Sequence, residues 1–151
     1  RHLLNSDGED HRRLRSVLNP GLAGAHTWEP LLESVSAELL SRLKGEFDLV
    51  ADYTRPLATK FVGTVLGVPE VHLDELAALS DAAINTRDPD EARTVRAAVF
   101  RLWVKVLAQK RNELGDDLLT LLLKAHREKV VSSQELTSVA WGLFSGGISP
   151  W

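Results

Sequence analysis

Cysteine and methionine are both absent from this 151-residue sequence. Without cysteine the chain can make no disulfide, no thiolate nucleophile, no zinc finger and no cysteine-ligated metal centre. The five histidines are scattered and give neither an HExxH nor an HxxxH pair, so no histidine metal site is indicated either. Long apolar runs are missing: the longest extend over a few residues, against the ~20 a membrane helix needs. A strong charge of one sign is missing too. Eighteen basic residues against 21 acidic ones leave a net charge of -3, which disfavours a general nucleic-acid binder. There is no sustained period-two alternation, no internal repeat and no low-complexity tract. The opening residues lack the charged, apolar, small-residue order of a secretory signal. The chain starts at Arg1 and stops at Pro150-Trp151 directly after an apolar helical run, and is expected to be a fragment.

What is present reads as helix after helix. Hydrophobic residues at 44% and charged residues at 26% are ordinary for a folded domain, and the length suits one domain. Asp7 with Glu9 and Asp10 suggests an N-cap and acidic first turn for a helix through Leu18, stopped at Asn19-Pro20-Gly21. A Gly-rich loop from Leu22 to His26 follows, and Thr27 is placed to cap the next helix. That helix carries Leu31, Leu32, Val35, Leu39, Leu40 and Leu43 at helical spacing. Phe47, Leu49 and Val50 suggest a short extended entry to a helix over 52–66, with Leu57, Phe61, Val62, Val65 and Leu66 inward and Trp28 as a staple near the preceding cap. Gly67-Val68-Pro69 stops it. Leu73, Leu76, Ala77 and Leu79 mark a shorter helix, and the polar stretch 85–89 a connection.

The pattern over 90–114 predicts the longest helix, with Val99, Trp103, Val106 and Leu107 buried. A helix over 116–128 comes next. Ser132 and Glu135 then form a capping box for a last helix bearing Leu136, Val139, Leu143 and Phe144. The fold class is therefore all-α, with about seven helices in one domain spanning 1–151.

His11-x-x-x-Arg15, the landmarks within 48–69, Asp116 to Leu122 and Ser132 to Leu136 together resemble the bacterial cytochrome P450 monooxygenases. His11-x-x-x-Arg15 matches the family's His-x-x-x-Arg pattern, with Gly8 and Glu9 where the family has two prolines. Asp48 to Tyr53, Arg55-Pro56-Leu57 and Leu66 to Pro69 are similar to its next landmark. Asp116 to Leu122 resembles the segment before its long central helix, and Ser132 to Leu136 that helix's start. The resemblance covers nearly the whole chain, as the N-terminal portion of the family's fold ending in the central oxygen-binding helix.

The resemblance implies a haem-dependent oxidoreductase of the soluble, cytoplasmic kind. Such an enzyme oxidises a small hydrophobic metabolite in secondary metabolism with electrons from a ferredoxin-type donor. It implies that His11 and Arg15 hold a haem propionate, a role that two donors one turn apart can play. The alternative is a solvated basic face, and Arg12 and Arg13 are expected to point outward as part of it. Ser145-Gly146-Gly147-Ile148-Ser149 lies where the family reads Ala-Gly-x-acid-Thr. Gly146 would leave room over the haem, and Ser149 would stand in the proton relay. Ile148 replaces the acid, and Pro150 follows. The alternative is that Gly146-Gly147 only ends or kinks a helix.

A haem thiolate needs a cysteine ligand, which this chain lacks, so alone it is expected to be inactive. A haem-free relative that activates a deoxysugar glycosyltransferase in polyketide biosynthesis is the second reading, and an unrelated helical scaffold the third. Trp103 and Trp141 read as core anchors, and His2, His26, His72 and His126 as isolated surface residues. The stripe Leu136, Val139, Leu143, Phe144 is expected to be left uncovered.

Overall fold

The computed structural model describes residues 8–148, and every regular element among them is helical. Helix α1 (Gly8–Ala23) is followed by a 3-10 turn (Ala25–Trp28), α2 (Glu29–Arg42), a π-helical turn (Leu49–Thr54) and α3 (Arg55–Leu66). A second 3-10 turn (Glu70–His72) leads into α4 (Leu73–Asn85). Then come α5 (Pro89–Lys110), α6 (Leu118–Arg127) and α7 (Ser133–Ile148). At 22 residues α5 is the longest, as its pattern predicts. No described helix is long and apolar enough to cross a membrane.

Helix starts follow side-chain chemistry. Asp88 accepts from the Asp90 and Glu91 amides at the head of α5, and Asp117 from the Thr120 amide at the head of α6. At α7 the capping box forms: the Ser132 amide donates to Glu135 Oε2 at 2.8 Å, and the Glu135 amide to Ser132 Oγ at 3.2 Å. The Gly67 stop is a left-handed cap at φ +82°, a conformation that glycine adopts without steric cost.

Helix α7 packs against α3, α4, α5 and α6, and the core forms around it. Trp103 of α5 meets Phe144 of α7 edge to face, ring centroids 6.1 Å apart, and both are fully buried. The expected uncovered stripe is therefore overturned: Leu136, Val139 and Phe144 are buried and Leu143 is half-buried. Neighbouring helices of this same chain supply the cover. Gly147 lets α7 approach α3 closely, since a Cβ there would lie 2.9 Å from Val62.

Other expectations change as well. Helix α1 continues through Pro20 to Ala23. Proline deprives only the Ser16 carbonyl of its helical donor, and Ser16 is exposed. Gly21 meanwhile packs so tightly on Leu118 and Leu121 that the last turn is held by tertiary contact. Thr27 does not cap α2; its hydroxyl donates to the Gly24 carbonyl inside the 3-10 turn. Phe47, Leu49 and Val50 are exposed, and the π turn around them is organised by Asp48, which accepts from the Val50 and Ala51 amides. In α2 only Val35 and Leu39 are buried, while Leu32 and Leu40 face out. In α3 the buried residues are Thr59, Gly63 and Leu66; Leu57, Phe61, Val62 and Val65 are half-buried. Trp28 packs edge to face on Phe61, ring centroids 6.3 Å apart. Asp7 and Ser149 lie outside the described residues, as do His2 and the side chain of His26.

Candidate functional site

Helix α1 presents its basic run on two sides of one buried stripe. Leu14 and Leu18 face the core. At about 100° per residue, His11 and Arg15 fall on one flank of that stripe, one turn apart, and Arg13 on the other. His11 is half-buried and Arg15 exposed, and neither has a hydrogen-bond or ion-pair partner among the described residues. Arg12 is exposed.

Arg13 corrects the expectation of an outward-facing pair. Its guanidinium donates to Glu135 Oε1 at 2.6 Å, to Asp10 Oδ1 at 3.0 Å and to the Val130 carbonyl at 2.5 Å. A planar fork with several donors reaches three acceptors that no short cationic side chain could serve together. The bonds cross from α1 to the turn before α7 and to the first turn of α7. Nothing local in the sequence marks this contact, because its partners are more than a hundred residues away.

The same bonds hold the Glu135 carboxyl down to about 2. The Arg13 hydrogen bond is the main cause, followed by the Ser132 amide. A carboxyl whose folded value lies below its unfolded one adds stability above the unfolded value and loses it as the pH falls through the folded one. Glu135 should therefore contribute fully above about pH 4.5 and lose its contribution between there and about pH 2. The expected size is on the order of 2 kcal/mol after solvent screening. Unfolding free energies of the protein and its Glu135→Gln variant should differ by that amount at pH 6 and converge toward pH 2. A gap that does not depend on pH would refute the assignment.

At the other end of α7, a Cβ built at Gly142 or Gly146 would meet nothing within 4 Å, whereas one at Gly147 would strike Val62. Gly142 and Gly146 are one turn apart, so this length of helix is bare of side chains on one face and packed on the other. Ile148 is half-buried. Gly146 is eleven residues beyond Glu135, about 16 Å along the helix, so α1 is tied to the end of α7 remote from Gly146. No hydrogen bond joins His11 or Arg15 to α7 among the described residues.

Two of the histidines expected to be isolated have partners. His72 Nε2 lies 3.1 Å from Gln109 Oε1, and His126 Nδ1 lies 2.7 Å from the Val131 carbonyl. Each bridges neighbouring elements of the fold. Trp103 is the anchor it was expected to be, and its indole nitrogen is buried without a hydrogen-bond partner among the described residues. Trp141 is half-buried. A buried ion pair, also unmarked in the sequence, joins Lys110 Nζ at the end of α5 to Asp117 Oδ2 at 2.6 Å.

No family model matches the chain. Curated relatives do. Cytochrome P450 107B1 of Saccharopolyspora erythraea is 29% identical over 151 residues, covering 97% of this chain and 37% of the relative. The 6-deoxyerythronolide B hydroxylase of the same organism is 30% identical, covering 94% of this chain and 37% of that protein. The solved structure of CYP154A1 from Streptomyces coelicolor superposes with a TM-score of 0.84 at 27% identity, over 99% of this chain and 40% of that one. The chain thus spans a little over a third of the length of the relatives it matches.

Proposed function

We propose that this chain, a part of a bacterial cytochrome P450, supplies the propionate contacts and one wall of the haem site of a monooxygenase acting on a small hydrophobic metabolite. The observation that carries the reading is the His11–Arg15 pair. Two nitrogen-donor side chains one turn apart, without partners among the described residues, fit a group that carries carboxylates. The bare face of α7 at Gly142 and Gly146 fits a flat group or a small ligand beside it. When bound, the haem supplies the redox chemistry that puts one oxygen atom into the substrate.

The residues of this chain bind, orient and shape. Arg15 presents a planar fork to a carboxylate and His11 a single ring N–H. Gly146 keeps the helix backbone accessible where a side chain would intrude. Ser149 is assigned to hold or pass a proton through its hydroxyl, while Ile148 beside it can do neither. With no cysteine, the chain contributes no thiolate ligand. A hydroxylase among the relatives supports monooxygenase chemistry, and the helper alternative gains no support from them. A ferredoxin-type electron donor and a cytoplasmic setting complete the reading.

The test is haem retention by the whole protein that carries this chain. Arg15→Ala should remove a charge-assisted bond of about 1.5–3 kcal/mol, and His11→Ala should add to the loss. The ratio of haem to protein absorbance after gel filtration should fall for each variant and most for both together. Unchanged haem content with both side chains removed would overturn the propionate assignment.

A further inference from the structure

Arg13 sits two residues from His11 on one side and from Arg15 on the other. It leaves α1 on the flank of the Leu14–Leu18 stripe opposite to theirs. A helix held by a narrow apolar stripe can roll about its own axis, because apolar contact has no direction. A charge-assisted bond on one flank stops that roll and so sets where the other flank points.

The bond here is made to Glu135, whose second oxygen already closes the capping box of α7. One carboxylate therefore joins the frame of α1 to the frame of the helix that carries Gly146. The Val130 carbonyl gives Arg13 a further anchor in the turn just before α7. Asp10, one turn back on α1, steadies the guanidinium from its own helix.

We propose that Arg13 and Glu135 are positioning residues: together they set the roll of α1 that aims His11 and Arg15 at the haem carboxylates. The inference rests on the haem reading of His11 and Arg15, and its test separates the two. Glu135→Gln is the informative change, since the glutamine carbonyl oxygen can keep the capping box while its NH2 takes the place of the charged oxygen that accepts from Arg13. Arg13→Gln removes the other partner, and the two changes combined close a double-mutant cycle.

The readouts are the rate of haem transfer from the whole holoprotein to excess apomyoglobin and the circular dichroism of the Soret band, which reports haem seating. Each single change should raise the transfer rate about tenfold and alter the Soret signal. The combined variant should lose little more than either single one, as for two residues that act through one bond. If Arg15→Ala speeds haem loss while Glu135→Gln and Arg13→Gln leave rate and Soret signal unchanged, the positioning role is overturned and the haem reading stands. If Arg15→Ala itself has no effect, the haem reading fails and the positioning role falls with it. Should Arg13→Gln not fold, Arg13→Lys serves in its place: it keeps one bond to Glu135 and should give a smaller rise in the same direction.

Discussion

Asp117→Ala is expected to lower the unfolding free energy by about 4 kcal/mol, because one carboxylate does three things at a buried junction. It caps α6 by accepting from the Thr120 amide at 2.9 Å. It pairs with Lys110 Nζ at 2.6 Å, both side chains being only 10–12% exposed. It also fills the space above Gly67, where a Cβ would lie 2.2 Å from the Asp117 Cγ. Thus the end of α3, the end of α5 and the start of α6 meet on this single side chain.

Removing the carboxylate leaves the Lys110 ammonium buried and uncompensated, which alone costs about 3–5 kcal/mol. The lost cap would account for about 1 kcal/mol by itself, and the two losses overlap because they share one group. Asp117→Asn keeps a capping oxygen and should cost less than alanine. Adding Lys110→Met to Asp117→Asn should recover at least about 1 kcal/mol, since no charge then remains buried. Urea unfolding of the four proteins checks this. An Asp117→Ala change within 1 kcal/mol of the parent, as measured by that titration, would mean that the junction is not the strut described (about the size of an exposed pair).

Trp103→Ala should cost about 3–5 kcal/mol for a different reason, the cavity left beneath α7. Trp103 is fully buried against Phe144, the ring that lies at the centre of the α5–α7 contact. Trp103→Phe should cost less than about 2 kcal/mol. It leaves a smaller void, and it removes an indole N–H that is buried without an acceptor, a group whose desolvation opposes folding by about 1–3 kcal/mol. Thermal unfolding should separate the two variants by several degrees. Equal losses would show that ring volume does not set the stability of this contact.

Helix count, order and class were legible in the sequence because they depend on short-range rules. Apolar spacing of three and four placed α5 and its buried face, glycine at Gly67 stopped α3, and Ser132 with Glu135 opened α7. The His11–Arg15 spacing was equally readable, since two residues four apart share a helix face whatever lies around them.

Other features were settled by partners distant in sequence. Pro20 lies inside α1 because α6 packs on the turn it would otherwise end. Leu32 and Leu40 are exposed although their spacing put them on one apolar stripe with Val35 and Leu39, since only part of that stripe is covered by the helices that build the core. The α7 stripe is covered because α3, α4, α5 and α6 surround it, and periodicity says which residues share a face but not what meets that face. Arg13 gives the clearest case. On α1 alone it is one arginine among three, and only the fold brings Glu135 and Val130 to it. Spacing along a helix determined which side chains could act together; long-range packing decided which of them are tied and which have no partner among the described residues.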